Sequence, residues 1–79
     1  MIWCVEDDPG ILEIELYTLH SAGFEVSGFV DAAGFRKALA ESAAPEMVIL
    51  DVMLPEMNGL EVMRRIRKNS HTPVILVTA

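Results

Sequence analysis

Acidic side chains occupy two short stretches of the chain, and each stretch follows a run of aliphatic residues. Glu6–Asp8 follow the run Ile2–Val5, and Asp51 follows the run Met47–Leu50. Carboxylates held close together in a partly buried cleft repel each other, and a divalent cation relieves that repulsion. Oxygen ligands without a nearby His or Cys favour Mg²⁺ or Mn²⁺ over Zn²⁺. If the fold brings the two stretches together, they are suited to bind a hard divalent cation.

Simpler structural roles are available to the same carboxylates. Asp8 precedes Pro9 and is placed to cap a helix, whose dipole also favours acidic residues at its start. Asp51 ends an apolar run, where an aspartate is usually paired or hydrogen-bonded to the backbone. Capping accounts for Asp8 but not for Asp51, so both interpretations of the acidic residues stay open at this point.

Four runs of β-branched or aliphatic residues predict four strands. They are Ile2–Val5, Phe24–Val30, Met47–Leu50 and Val74–Val77. Three of the runs are almost wholly apolar, which is typical of parallel strands that are covered on both faces. Polar residues interrupt Phe24–Val30, so we expect this strand at an edge of the sheet.

Three stretches between these runs predict helices. The first begins after Asp8 and ends near Gly23, a residue type that adopts the left-handed conformation at helix ends. The second begins after Asp31, with Pro45 beyond its end, and the third begins at Asn58. The resulting order, β-α-β-α-β-α-β with short connections, predicts an α/β fold with a parallel sheet. Ligands of such sheets collect beyond the carboxyl ends of the strands, where both acidic stretches lie.

The first helix carries two apolar stripes rather than one. They consist of Ile11, Ile14, Thr18 and Ala22, and of Leu12, Leu16 and Leu19, with Glu15 between them. One interpretation is a wide core-facing surface with the Glu15 carboxylate reaching outward. The other is a second surface that contacts a partner or a further helix.

Composition restricts the class of protein. The 79 residues suffice for a single domain, and 52% hydrophobic with 23% charged residues suit a globular chain. Six basic and twelve acidic residues give a net charge of −6, which disfavours binding to nucleic acid or to an anionic membrane. Cys4 is a single cysteine, so no internal disulfide forms. We expect no membrane-spanning segment and no signal peptide, and we expect a cytoplasmic domain.

Three segments resemble the receiver domain of two-component response regulators, and the resemblance extends over the whole chain. They are Val5–Pro9 (VEDDP), Val48–Val62 (VILDVMLPEMNGLEV) and Pro73–Ala79 (PVILVTA). The resemblance implies a flavodoxin-like doubly wound parallel sheet with strand order 2-1-3-4. Residues 1–79 would be the N-terminal two-thirds of such a domain. A fourth helix, a fifth strand with the family's lysine and a fifth helix would follow.

The resemblance also implies a role for each residue of the site. Asp51 would be the phospho-acceptor, taking a phosphoryl group from a sensor histidine kinase. Asp7 and Asp51 would bind Mg²⁺ directly, Glu6 would bind it through a water, and Met53 would contribute its backbone carbonyl. Thr78 would be the switch hydroxyl that hydrogen-bonds the phosphoryl group. Such a receiver is a signalling module and not an enzyme.

The resemblance further implies an output domain or other receiver chains as partners. The first residues resemble those of winged-helix transcription regulators, although we expect no nucleic-acid binding and no membrane binding by this segment. The strand Val74–Val77 would leave an apolar edge through which two chains can pair. An alternative function is a pseudo-receiver that acts only as an interaction or dimerisation module. A metal-dependent phosphohydrolase fits less well, because its first-strand Asp-x-Asp pattern is absent.

Overall fold

A computed structural model describes residues 1–41, 45–51, 64, 67 and 72–77, with the backbone alone for Ala32, Asp51 and Leu76. The described elements alternate along the chain as the sequence predicts. They are β1 (Ile2–Val5), α1 (Pro9–Ser21), β2 (Val26–Phe29), α2 (Ala32–Glu41), β3 (Met47–Asp51) and β4 (Val74–Val77).

The four strands form one parallel sheet in the order β2-β1-β3-β4. Cys4 of β1 is in register with Gly28 of β2 on one side and with Ile49 of β3 on the other. This order confirms the predicted α/β architecture, and it places β2 at an edge, as the polar residues in that strand indicate.

Helix α1 begins and ends at the residues that the sequence predicts. Asp8 is its N-cap, with extended backbone angles of φ −87° and ψ 111°, and Pro9 occupies its first turn. At the other end, Gly23 adopts φ 97° and its amide donates to the His20 carbonyl at 3.0 Å. The left-handed glycine turns the chain away from the helix axis and towards β2.

Alternation of side chains along β1 divides the core between the two faces of the sheet. On the face covered by α2, Trp3 packs edge-to-face against Phe29 and Phe35, with ring centroids 5.3 and 6.1 Å away. Val5, Val48 and Leu50 complete this cluster. The indole therefore packs beside α2.

The face covered by α1 holds a smaller cluster of Ile2, Cys4 and Leu12. Leu16 and Leu19 pack against it, whereas Ile11 and Ile14 are 48% and 66% exposed. The leucine stripe of α1 is thus the core-facing stripe, and the isoleucine stripe lies at the surface.

Gly28 allows α1 to lie close to β2. A Cβ atom at this position would lie 2.9 Å from a methyl carbon of Leu16 and 3.0 Å from both methyl carbons of Leu12. The absence of a side chain therefore makes room for the leucines that anchor the helix.

Two strands differ in length from their predicted bounds. β2 is shorter than the predicted Phe24–Val30, because the Phe24 amide donates to the Leu19 carbonyl and so belongs to the end of α1. β3 extends one residue further than predicted, to Asp51, which pairs with Val77 of β4.

The predicted third helix lies mostly outside the described residues. Arg64 and Arg67 are helical, and the Arg67 guanidinium donates a hydrogen bond to the Thr72 carbonyl. The Thr72 hydroxyl in turn donates to the Pro45 carbonyl at 3.1 Å, which ties the residues before β4 to those before β3. Among the described residues, no helix is long and apolar enough to cross a membrane.

Candidate functional site

The two acidic stretches meet at the carboxyl edge of the sheet. β1 and β3 are neighbours, and Val5 is in register with Leu50. Glu6 follows the last residue of β1 and Asp51 is the last residue of β3, so both acidic stretches lie at the same end of the sheet. This is the position at which parallel α/β sheets bind their ligands.

The turn from β1 to α1 fixes the first of these acidic residues. The Glu6 amide donates to the Phe29 carbonyl at 3.0 Å, so the residue is tied to the end of β2. Its side chain is only 7% exposed, and its Oε1 accepts a hydrogen bond from the Asp8 amide at 3.3 Å. One Glu6 oxygen therefore holds the turn together.

The carboxylate of Asp8 caps α1. Its Oδ1 accepts from the Gly10 amide at 2.8 Å and from the Ile11 amide at 3.2 Å. The capping interpretation is thus right for Asp8, and the satisfied donors are those that a helix N-terminus otherwise leaves without partners.

The Asp7 carboxylate differs from those of Glu6 and Asp8 in its hydrogen bonding. Asp7 is exposed, and no hydrogen bond or ion pair to its side chain occurs among the described residues. Asp7 follows β1, whose neighbour in the sheet is β3, and β3 ends at Asp51. An exposed oxygen donor at this end of the sheet fits a hard divalent cation such as Mg²⁺.

The remaining predicted site residues lie outside the described part of the structure. The side chain of Asp51 and all of Met53 and Thr78 belong to this group. The side chains that the structure describes contain no cluster of three or more His, Cys, Asp or Glu residues able to hold a metal ion. The ligand set Glu6, Asp7, Asp51 and Met53 and the switch role of Thr78 therefore stay predictions.

Sequence reasoning missed the hydrogen bond from the Asp8 amide to Glu6. The spacing of an acceptor two residues before a helix cap is the only signal in the sequence for it. Since the same residues also suit a metal site, residue types alone do not distinguish a carboxylate that fixes the turn from one that binds a ligand.

Cys4 plays no part in this site. The residue is fully buried beneath α1, and burial raises the pKa of its thiol from 9.0 to about 11, with a further contribution from the Glu15 carboxylate. A protonated, inaccessible thiol is unreactive, so Cys4 is a core residue.

An apolar groove borders α1 on the side towards β3 and β4. It has a volume of about 400 Å³, and Ile14, Leu19, Ile49 and Val77 are among the residues that line it. The groove is the surface at which the exposed isoleucine stripe of α1 meets the sheet.

Comparisons with known proteins agree with this architecture. The sequence model of the family described as the response regulator receiver domain matches residues 2–79. The response regulator ArlR of Staphylococcus haemolyticus is 42% identical over 82 residues, covering 99% of this chain and 35% of ArlR. The DNA-binding response regulator MtrA of Mycolicibacterium smegmatis is 37% identical over 78 residues, covering 99% of this chain and 34% of MtrA.

A similar solved structure is that of the MaeR response regulator bound to beryllium trifluoride. It superposes with a TM-score of 0.82 at 33% identity, covering 99% of this chain and 66% of the MaeR chain. The chain spans about a third of the length of the curated relatives ArlR and MtrA.

Proposed function

The chain belongs to the receiver domain family of response regulators, and from this premise we propose that it accepts a phosphoryl group on Asp51 in the presence of Mg²⁺. The observation that carries the proposal is the pairing of β1 with β3. The pairing brings Asp51 to the sheet edge at which the exposed Asp7 carboxylate lies.

The proposed reaction transfers a phosphoryl group from a phosphohistidine to the Asp51 carboxylate. A carboxylate oxygen of Asp51 forms a bond to phosphorus while the bond from phosphorus to the imidazole nitrogen breaks, and the released imidazole takes a proton from solvent. The product is an acyl phosphate on the chain itself. The chain is therefore a signalling module that is modified once, rather than an enzyme with a separate substrate and product.

The other residues of the proposed site would bind the metal ion or the phosphoryl group. Asp7 and Asp51 would hold Mg²⁺, with Glu6 through a water and Met53 through its carbonyl, and the ion neutralises phosphoryl charge when bound. Mn²⁺ has similar preferences for oxygen ligands. Thr78, which follows Val77 of β4, would donate its hydroxyl to a phosphoryl oxygen.

The similar proteins support this function and suggest its context. Beryllium trifluoride has the shape and charge of a phosphoryl group, and the MaeR response regulator is described as bound to it. MtrA is described as a DNA-binding response regulator. We therefore propose a sensor histidine kinase as the phosphoryl donor, and a DNA-binding output domain as the part that phosphorylation controls. In this arrangement residues 1–79 form the N-terminal part of one receiver domain.

Intact-mass spectrometry after addition of a small acyl-phosphate donor tests the function. We expect a phosphoryl adduct that requires Mg²⁺ and is lost in Asp51→Asn, because the amide is a poor nucleophile of nearly the same shape. Asp7→Asn should reduce the adduct yield at a fixed Mg²⁺ concentration, because it removes a charged metal ligand.

The same assay on a chain extended through the fifth strand and helix of the family provides the control for the family's lysine. An adduct in the extended chain alone would show that the lysine is required. The absence of an adduct in both chains would contradict phosphoryl acceptance and favour a pseudo-receiver that acts through protein contacts.

A further inference from the structure

The turn between β1 and α1 is anchored on both sides of Asp7. On one side, the Glu6 amide is bound to the Phe29 carbonyl at 3.0 Å. On the other side, Asp8 is fixed by its amide, which donates to Glu6, and by its carboxylate, which caps α1. Asp7 is thus the middle residue of three, and both of its chain neighbours are held by hydrogen bonds.

The carboxylate and the carbonyl of Asp8 connect the turn to the helix. Its carboxylate accepts from Gly10 and Ile11, and its carbonyl accepts from the Leu12 amide at 2.9 Å. Leu12 is in turn 6% exposed and packs in the core beside Cys4. The position of Asp8 therefore follows the position of α1 on the sheet, and so does the direction in which the chain leaves Asp7.

Gly10 leaves space for this cap. A Cβ atom at Gly10 would lie 3.3 Å from Asp8 Oδ1, closer than ordinary van der Waals contact. The first turn of α1 thus combines an acidic cap with a residue that does not crowd it.

We propose that Asp8 is a positioning residue, which caps α1 and thereby holds the turn that presents the Asp7 carboxylate to the metal ion. The inference rests on the proposed metal site and assigns Asp8 no contact with the ion. The capping hydrogen bonds, and not the negative charge of Asp8, carry this role, since an uncharged side chain with an oxygen acceptor caps a helix equally well. Groups that orient metal ligands typically change metal affinity by about tenfold or more when they are removed.

A Mg²⁺ titration followed by the backbone amide resonances of residues 5–8 in the isotope-labelled 79-residue chain tests the proposal. We expect Asp8→Ala to weaken the apparent affinity for Mg²⁺ by about tenfold. Asp8→Asn should retain the affinity of the unmodified chain, because the asparagine oxygen replaces the cap. This rescue by an uncharged cap separates positioning from electrostatic attraction.

Asp31→Ala is the matched control. The Asp31 carboxylate accepts from the Gly34 amide at 2.8 Å in the first turn of α2, so its removal deletes a capping hydrogen bond of another helix and the same charge. We expect Mg²⁺ affinity to be unchanged in this variant. An equal loss of affinity in Asp31→Ala and Asp8→Ala would overturn the proposal in favour of a general loss of stability.

Further outcomes separate the positioning role from the proposed metal site. If Asp7→Ala abolishes the Mg²⁺-dependent shifts while Asp8→Ala leaves the affinity unchanged, the metal site stands and the positioning role is wrong. If Asp8→Asn binds Mg²⁺ as weakly as Asp8→Ala does, the loss of affinity comes from the charge of Asp8 and not from its cap. If the unmodified chain gives no saturable shifts, both the metal site and the positioning role are overturned.

Discussion

At the scale of single residues, Cys4 makes the free energy of unfolding depend on pH in the alkaline range. Its thiol is fully buried and its pKa is raised to about 11, whereas in the unfolded chain the group returns to about 9.0. Below pH 9 both states carry the proton. Between these two values the unfolded chain releases the proton and the folded chain keeps it, so the free energy of unfolding falls as the pH rises.

Urea unfolding measured between about pH 8 and about pH 10.5 tests this dependence, with Cys4→Ala as the comparison. The variant loses packing beneath α1 and should be less stable at all pH values, but it lacks the thiol. We expect its stability to decline less steeply with pH than that of the unmodified chain. Parallel declines in the two proteins would assign the pH dependence to other groups.

Of the two kinds of hydrogen bond that Asp8 makes, the sequence predicts one and not the other. The cap at Asp8 follows from a local pattern, an acidic residue before a proline, and it is confirmed. The hydrogen bond from the Asp8 amide to Glu6 was not predicted, because it depends on how β2 and α1 fix the two ends of the turn. Local patterns thus predict helix caps, whereas side-chain contacts within a turn require the tertiary structure.

At the scale of elements, the contact between α1 and β2 depends on Gly28. A methyl group at this position would overlap the side chains of Leu12 and Leu16, with the shortest separation 2.9 Å. We expect Gly28→Ala to lower the free energy of unfolding by about 1 kcal/mol, since overpacking of a core costs about 1–3 kcal/mol and the leucine ends adjust in part. Chemical unfolding monitored by Trp3 fluorescence measures the change.

A double-mutant cycle with Leu16→Ala identifies the cause of that change. Leu16→Ala alone creates a cavity, but in the Gly28→Ala background it also removes the shortest of the overlaps, so the two effects should not be additive. We expect the second substitution to cost less in the Gly28→Ala background than in the unmodified chain. Additive effects would indicate that the methyl group acts on the strand backbone rather than on α1.

The bounds of two strands follow from the sequence alone. β1 and β4 have the predicted bounds, since both are continuous apolar runs. β2 is shorter than predicted because Phe24 is bound to the end of α1, a contact between residues that no periodic pattern records. Whether the second apolar stripe of α1 belongs to the core or forms a separate surface likewise depends on where the sheet lies, so both interpretations stay open in the sequence alone.

At the scale of the whole molecule, the strand order is predicted by the resemblance to a family and not by the periodicity of the sequence. Periodicity and short connections predict a parallel sheet, but they do not determine which strands are neighbours. The motifs around Asp51 imply that β1 and β3 are adjacent, and the observed order confirms it. The candidate site depends on this adjacency, because it brings acidic stretches that are more than forty residues apart in the sequence to one edge of the sheet.

The exposed edge of the described sheet predicts self-association through β4. In the sheet of the described strands, β4 is an edge, and its Ile75 and Val77 are 48% and 44% exposed. Such an edge pairs readily with another chain, whereas the net charge of −6 opposes association, so added salt should promote it. We expect light scattering to detect oligomers at micromolar concentration and Val77→Lys to reduce them. Tyr17→Lys is the matched control, because Tyr17 is 74% exposed on α1 and away from the edge. A monodisperse monomer at high salt, or equal effects of the two substitutions, would contradict pairing through β4.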